Sequence, residues 1–249
     1  MSAQPPASGP AAGPGDGAGG KSAAGVPVIA IDGPGGSGKG TVSRLVAEEL
    51  DWHLLDSGAL YRLAGLAGQL AGLDPGDVAG HAAIAAAMEL SFGTTPAGQE
   101  RVTLAGRDVT ADIRTETAGN LASRVAGYPA VRQALVGRQR RFQRPPGLVA
   151  DGRDMGSVIF PAAGLKIFLT ATAAERALRR YKQLKDKGLD VSLAALSRDI
   201  AERDQRDASR AVAPLRACDD AIVLDSTGLG PDEVVARVLK LARERFGRG

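Results

Sequence analysis

The residue types best suited to chemistry in this chain stand close together, in Val28-Ile-Ala-Ile-Asp-Gly-Pro-Gly-Gly-Ser-Gly-Lys-Gly-Thr41. Glycines there leave room for successive backbone N–H groups to curl around anionic oxygens, where a side chain would crowd a phosphate. Lys39 adds a mobile full charge for outer phosphates. Helical spacing resumes with Val42, Leu45, Val46 and Leu50, so a helix directs its positive N-terminal end at the same place. Gly33, Pro34, Gly35, Gly36, Ser37, Gly38, Lys39, Gly40 and Thr41 are therefore candidates for holding a nucleotide polyphosphate. The match to G-x-x-x-x-G-K-[ST] is imperfect, because Gly40 follows the lysine and Thr41 comes one place late. A metal there is expected to be held more through water and phosphate. The plain alternative is a glycine turn between strand and helix, against which the lysine and both flanking elements weigh.

The helix expected at 192–210 carries a second candidate set. Leu193, Leu196 and Ile200 mark an apolar stripe, and the same spacing continues to Arg203, Asp207 and Arg210. At about 100° per residue all six fall on one side. Either the helix rolls out into solvent after Ile200, or two arginines and a carboxylate face an anionic, hydroxylated ligand. Asp151-Gly-Arg-Asp154 follows an apolar run, so Asp151 has the placement of a carboxylate that positions Mg²⁺ or its waters, with Arg153 reaching toward phosphates. Asp56-Ser-Gly-Ala-Leu-Tyr-Arg62 starts a helix with Ser57 as its expected N-cap and Arg62 about one turn inside. Taken singly, each fragment reads equally well as a turn or a cap. Arg176, Arg179 and Arg180 share a helical face closed by Gly188. A solvated face is the ordinary reading, and a mobile cover bringing arginines onto a transferring phosphate is the sharper one.

Elements that could position these groups alternate along the chain. Buried strands are expected at Val28–Ile31, His53–Leu55, Leu148–Ala150, Leu165–Leu169 and Ala221–Leu224, and helices at 41–50, 58–72, 172–187, 192–210 and 231–245. This is an α/β pattern: a parallel sheet wrapped by helices on both faces. Ligands bind such sheets beyond the carboxyl ends of the strands, which puts Asp32, Asp56 and Asp151 on one rim with the glycine loop. Met88–Phe92, Arg101–Ala105 and Arg107–Thr110 break the alternation and read as a small antiparallel insert at 88–112.

Composition narrows the function classes. The chain has 249 residues, enough for one good-sized domain, and one cysteine, Cys218, which suits a reducing cytoplasm. Its two histidines, His53 and His81, make a His-rich metal site improbable. A net charge of +3 with interleaved signs does not suggest a nucleic-acid coat. The dense run Arg138–Arg144 reads as a solvated helix end. Residues 1–25 hold 21 Gly, Ala, Pro or Ser and no aromatic, so a disordered tail is expected. The tail lacks a signal peptide's apolar core and no later run is long enough to span a membrane, so a soluble, cytoplasmic protein is expected.

Four fragments in this order, Asp32-Gly-Pro-x-Gly-x-Gly-Lys-Gly-Thr41, Leu54-Leu-Asp-Ser-Gly-Ala-x-Tyr-Arg62, Ala150-Asp-Gly-Arg-Asp-Met-Gly156 and Glu202-Arg-Asp-x-Arg-Asp-x-x-Arg-Ala-Val-Ala-Pro214, together resemble the bacterial cytidylate kinases. The resemblance runs from about residue 27 to 246. It implies a P-loop NTPase-type kinase domain over 26–249, with a five-stranded parallel sheet, a nucleotide-monophosphate-binding insert at 88–125 and a short helical lid at 172–188. It further implies transfer of the γ-phosphoryl of ATP to CMP or dCMP with Mg²⁺, by a monomer that binds neither nucleic acid nor membrane. Gly40 after the lysine is normal in that family. By resemblance Lys39, Arg153, Arg203 and Arg179 act on the transferring group. Arg62, Arg153 and Arg210 hold the acceptor phosphate, Ser57 lies beside it, and Arg203 and Asp207 take the sugar. Ser123, Arg132 and Asp154 read the cytosine. The metal has no direct protein ligand and meets Thr41 or Asp151 through waters. Other readings remain open on the residues. Asp225-Ser-Thr-Gly228 imitates a GTPase switch, although the only asparagine, Asn120, is followed by Leu121 and cannot begin a guanine-reading Asn-Lys-x-Asp. The arginine run favours a nucleic-acid-dependent ATPase. A kinase of this fold could also take UMP, AMP or a non-nucleotide acceptor.

Overall fold

A computed structural model describes residues 25–186 and 188–247. The tail expected at 1–25 lies outside them apart from Gly25. The elements run β1 (Val28–Asp32), α1 (Lys39–Leu50), β2 (His53–Asp56), α2 (Ser57–Leu70), α3 (Val78–Ala87), β3 (Leu90–Thr94), β4 (Glu100–Leu104) and β5 (Arg107–Asp108). They continue through α4 (Glu116–Val125), α5 (Pro129–Arg140), β6 (Leu148–Gly152), β7 (Leu165–Thr170), α6 (Ala173–Asp186), α7 (Leu193–Ala208), β8 (Ile222–Asp225) and α8 (Pro231–Phe246).

Five strands form one parallel sheet in the order β2-β6-β1-β7-β8. β1 lies at its centre and every residue of it is buried. Its alternation explains why: Ile29 and Ile31 join Val46, Val149, Ile167 and Val238 on the α1/α8 face, while Val28 and Ala30 join Leu55, Leu60, Leu148 and Met155 on the other. A strand buried on both faces reads as an unbroken apolar run. β8 is an edge, which leaves Ile222 and Val223 exposed.

The three-stranded antiparallel sheet β3-β4-β5 forms where expected. It shares a second core with α2, α4 and α5 through Leu63, Val102, Ile113, Val125, Val131 and Leu135. The helices α3 and α4 had no sequence expectation. α3 is almost all alanine and small apolar residues, so it shows no polar face to set a period. α4 carries Gly119, Asn120 and Ser123, all poor helix formers. Its close approach to α2, where a Cβ on Gly65 would come within 2.8 Å of Leu121 Cβ, supplies what propensity lacks.

Two local expectations are corrected. Asp56, not Ser57, caps α2: its carboxylate accepts from Ala59 N at 2.9 Å, and Ser57 is the buried first helical residue. The Arg138–Arg144 run is not simply solvated. Arg138 donates to Met88 O at 3.1 Å and Arg140 Nε to Ile159 O at 3.1 Å, fastening α5 to carbonyls that helix ends leave open. No helix among the described residues is long and apolar enough to cross a membrane.

Candidate functional site

The glycine loop leaves the carboxyl end of β1 and turns into α1. At Gly33 the turn passes so close to β7 that a Cβ would lie 2.0 Å from Leu169 O, at φ +150°. Gly38, in the left-handed region, is the N-cap of α1 and offers no side chain to its open N–H groups. The loop carbonyls, by contrast, are engaged. Lys39 Nζ donates to Pro34 O at 2.9 Å, Arg176 to Gly35 O at 3.0 Å and Ser226 Oγ to Ser37 O at 3.1 Å.

Over this loop lies a cavity of about 300 Å³. Gly35, Gly36, Gly38, Lys39, Gly40 and Thr41 form one wall. Arg62, Arg153, Arg179 and Arg203 line the rest, together with Arg114 and Arg180. Carboxylates on the same surface are Asp56, Asp151, Glu116, Asp199 and Asp204. Asp56 ends β2, its register partner Asp151 is the last residue but one of β6, and Asp32 ends β1, so the three belong to the strands themselves rather than to the turns after them. Asp32 does not face the cavity; it accepts from Met155 N and Gly156 N, both at 2.8 Å.

The electrostatics are lopsided toward positive. Burial, then Arg153 and Arg203, pull the Lys39 ammonium down to about 7 against the opposing pull of Asp151. Burial and Arg153 likewise lower Arg203 to about 10. Arg203 makes no hydrogen bond or ion pair among the described residues, and its Nε is buried without a partner. It sits against the loop, with Cζ 3.7 Å from where a Cβ of Gly35 would be. Arg62 spends one nitrogen on Ile113 O at 3.0 Å and keeps Nε unpartnered, and burial lowers it too. Cations this poorly neutralised in a part-closed space are matched by a multiply charged anion. Burial raises Asp151 to about 6, with Lys39 opposing and Asp56 reinforcing.

Behind the cavity the other expected residues form one connected set. Asp207, 1% exposed, accepts from Ser123 Oγ at 2.9 Å and Arg153 Nε at 3.1 Å and pairs with Arg210. Burial pushes its carboxyl up, but Arg153, Arg210 and Arg203 outweigh that and hold it below the usual range. Arg132 and Asp154 form a buried ion pair, with the guanidinium 5.9 Å from the Tyr61 ring centre. Burial leaves Asp154 raised even so.

The structure thus brings Lys39, Arg62, Arg153, Arg179 and Arg203 to the cavity with the glycine loop. Gly33, Pro34 and Ser37 of the loop, and Ser57, Ser123, Arg132, Asp154, Asp207 and Arg210, do not line it. Arg210, expected with Arg62, lies past the end of α7 beside Asp207 and Ser123 O. Leu193, expected on the buried stripe of α7, is 42% exposed, and the buried positions of that helix are Leu196 and Asp207.

The three arginines of α6 do not act as one face. Arg176 is buried and holds Asp204 of α7 as well as the loop. Arg179 donates to Glu175, to Ser226 Oγ at 3.0 Å and to Ser226 O, so its guanidinium is already occupied. Arg180 pairs with Glu116 of α4, and both line the cavity. Sequence reasoning missed Arg114, Glu116 and Asp204. Their partners stand 14 to 64 residues away, and no local spacing announces such pairs.

The chain matches the family described as cytidylate kinase over residues 29–244. A relative from Pseudomonas syringae pv. tomato, named cytidylate kinase, is 58% identical over 86% of this chain and 93% of its own length. Relatives of the same name from Aeromonas salmonicida and Methylococcus capsulatus are each 53% identical. They cover 89% and 88% of this chain and 96% and 97% of their own.

Proposed function

The chain belongs to the cytidylate kinase family, and on that premise we infer that it transfers the γ-phosphoryl group of ATP to CMP or dCMP, giving ADP and CDP or dCDP. The observation that carries this reading into the geometry is the pair of under-neutralised cations, Lys39 and Arg203, lining one cavity with a glycine loop at a helix N-terminus.

The donor's phosphates lie along Gly33–Thr41, where backbone N–H groups and Lys39 meet them. The acceptor's phosphate is held by Arg62 and Arg153. Arg203 stands between the two phosphates, so its free nitrogens are placed for charge that develops during transfer. Asp207 serves the sugar. Ser123, Arg132 and Asp154 read the base, and Arg210, through Asp207, braces that end of the site. The attacking atom is a phosphate oxygen, already anionic at neutral pH, so no general base is required. Two histidines remote from the site are no obstacle. Rate enhancement then comes from alignment and from charge neutralised in a site that excludes water.

Asp151 and Thr41, one hard carboxylate and one hydroxyl beside the phosphate loop, suit Mg²⁺, which keeps most of its waters and takes substrate phosphates as ligands. The ion supplies further neutralisation of the polyphosphate.

The test is ADP release from Mg·ATP with CMP, dCMP, UMP, AMP, GMP or no acceptor. Turnover confined to CMP and dCMP is expected, and turnover without any acceptor dependence refutes the reading. Lys39→Ala leaves the fold intact and lowers kcat by about 10²–10³. Asp154→Asn narrows the CMP-over-UMP ratio, because a charged acceptor with two oxygens is replaced by a neutral amide with one, whose NH₂ end repels the cytosine amino group.

A further inference from the structure

We propose that Asp32 is a positioning residue for base recognition: it caps the turn at 155–159 from a distant strand and thereby frees Asp154 to hold Arg132. The proposal rests on the base-reading role given above to Asp154 and Arg132.

Residues Met155–Ile159 form a single π-helical turn. Like any helix start, it leaves its first N–H groups without backbone partners. The residue that would ordinarily satisfy them is the one at the N-cap, here Asp154, a residue type strongly favoured for that task. Yet Asp154 makes no capping hydrogen bond. Its carboxylate is turned to Arg132. The task falls instead to Asp32, 123 residues away, whose two oxygens take Met155 N and Gly156 N at 2.8 Å each.

The arrangement is costly, which argues that it is not incidental packing. Asp32 is 5% exposed, and burial lifts its carboxyl to about 6 even with two N–H donors on it. An apolar residue could occupy the end of β1, as on the rest of that strand. Without Asp32 the open N–H groups of Met155 and Gly156 face one nearby carboxylate able to take them, that of Asp154. Asp154 would then turn from Arg132 to its own helix start, and Arg132 would lose its counter-charge. Asp32 stands immediately before Gly33, so one residue joins the start of the phosphate loop to the base-reading pair.

The experiment measures kcat and KM for CMP, UMP and ATP in wild type, Asp32→Asn, Asp154→Asn and the double variant. Asparagine keeps one acceptor oxygen, so one N–H loses its partner. Expected for Asp32→Asn are a roughly tenfold rise in KM for CMP, a similar narrowing of the CMP-over-UMP ratio and a KM for ATP within about twofold of wild type. The double variant should match Asp154→Asn alone, because the two residues act in series. A ratio unchanged by Asp32→Asn where Asp154→Asn narrows it overturns the proposal, as does multiplicative loss in the double variant. If Asp154→Asn itself leaves the ratio unchanged, the base-reading role fails instead. A crystal structure of Asp32→Asn then decides the positioning claim: Asp154 turned onto Met155 N supports it, and Asp154 still on Arg132 overturns it. Should Asp32→Asn not fold, Asp32→Glu, with both oxygens displaced by a methylene, is judged by the same criteria.

Discussion

Binding of ATP should draw a proton from solution, and Lys39 should be where it goes. In the ligand-free cavity burial, Arg153 and Arg203 hold the Lys39 ammonium near 7, far below the ordinary lysine value. A polyphosphate reverses that balance and returns the group to the fully charged range. At pH 8, one unit above the free value, about a tenth of Lys39 is protonated before binding and nearly all of it after. Uptake is therefore about 0.9 proton per site, falling to about 0.1 at pH 6. Because the complex holds more protons than its separated parts, affinity declines as pH rises, steepening toward tenfold per unit above pH 8. The assay is calorimetric titration with a non-hydrolysable ATP analogue in Tris and in HEPES, whose ionisation enthalpies differ. The difference in observed heat gives the proton count, and Lys39→Met should abolish it. Equal heats in the two buffers at pH 8 would show that Lys39 is charged before binding. An undiminished count in Lys39→Met would place the proton elsewhere.

Three further outcomes follow from packing and charge. Gly33→Ala, which drives a Cβ into Leu169 O, should cost about 2 kcal/mol or more in urea unfolding and disable the loop. Asp154→Ala strands the buried Arg132 guanidinium and should cost about 3–5 kcal/mol, toward the lower end because Tyr61 offers its ring face. The pair change Arg132→Met/Asp154→Leu should cost far less. Asp32 binds its proton more tightly folded, at about 6, than unfolded, near 3.8. The native state therefore holds more protons in that window, and wild type should gain stability over Asp32→Asn as pH falls from about 6 to about 4. The gain, read from urea unfolding at both ends, reaches about 2 kcal/mol.

The sheet was legible because its central strands β1 and β6 are buried on both faces and run into aspartate and glycine. Val28–Ile31 and Leu148–Ala150 carry that signal without help from the rest of the chain. The phosphate loop was legible because its chemistry is local: glycines, a lysine and a helix start within a dozen residues. The wall opposite was only half legible. Arg203 and Asp207 could be found by spacing, but the direction in which α7 buries itself could not, since it depends on contacts from α4 and α6. Leu193 is exposed and Asp207 buried for that reason. The network around Ser123, Arg132 and Asp154 joins residues up to 87 apart, and its order exists only once α2, α4 and α5 share a core. Arg179 shows the same limit. Its spacing with Arg176 and Arg180 is correct, yet each guanidinium is claimed by a different neighbour.

The fastened carbonyls of the phosphate loop have a geometric consequence. In a trans peptide the C=O and the N–H of the next residue point in opposite directions within one rigid plane. Anchoring the oxygens of Pro34, Gly35 and Ser37 therefore aims the N–H groups of Gly35, Gly36 and Gly38 the other way, before any nucleotide arrives. Glycine-rich chain is the most entropically expensive kind to order on contact, and here the ordering is completed in folding. The loop meets its ligand as a rigid mould, so the binding energy of the phosphates need not be spent on shaping it. Lys39 of α1 anchors the first oxygen, but the other two anchors come from α6 and the turn after β8, so a shift of either re-aims the donors of Gly36 or Gly38 directly.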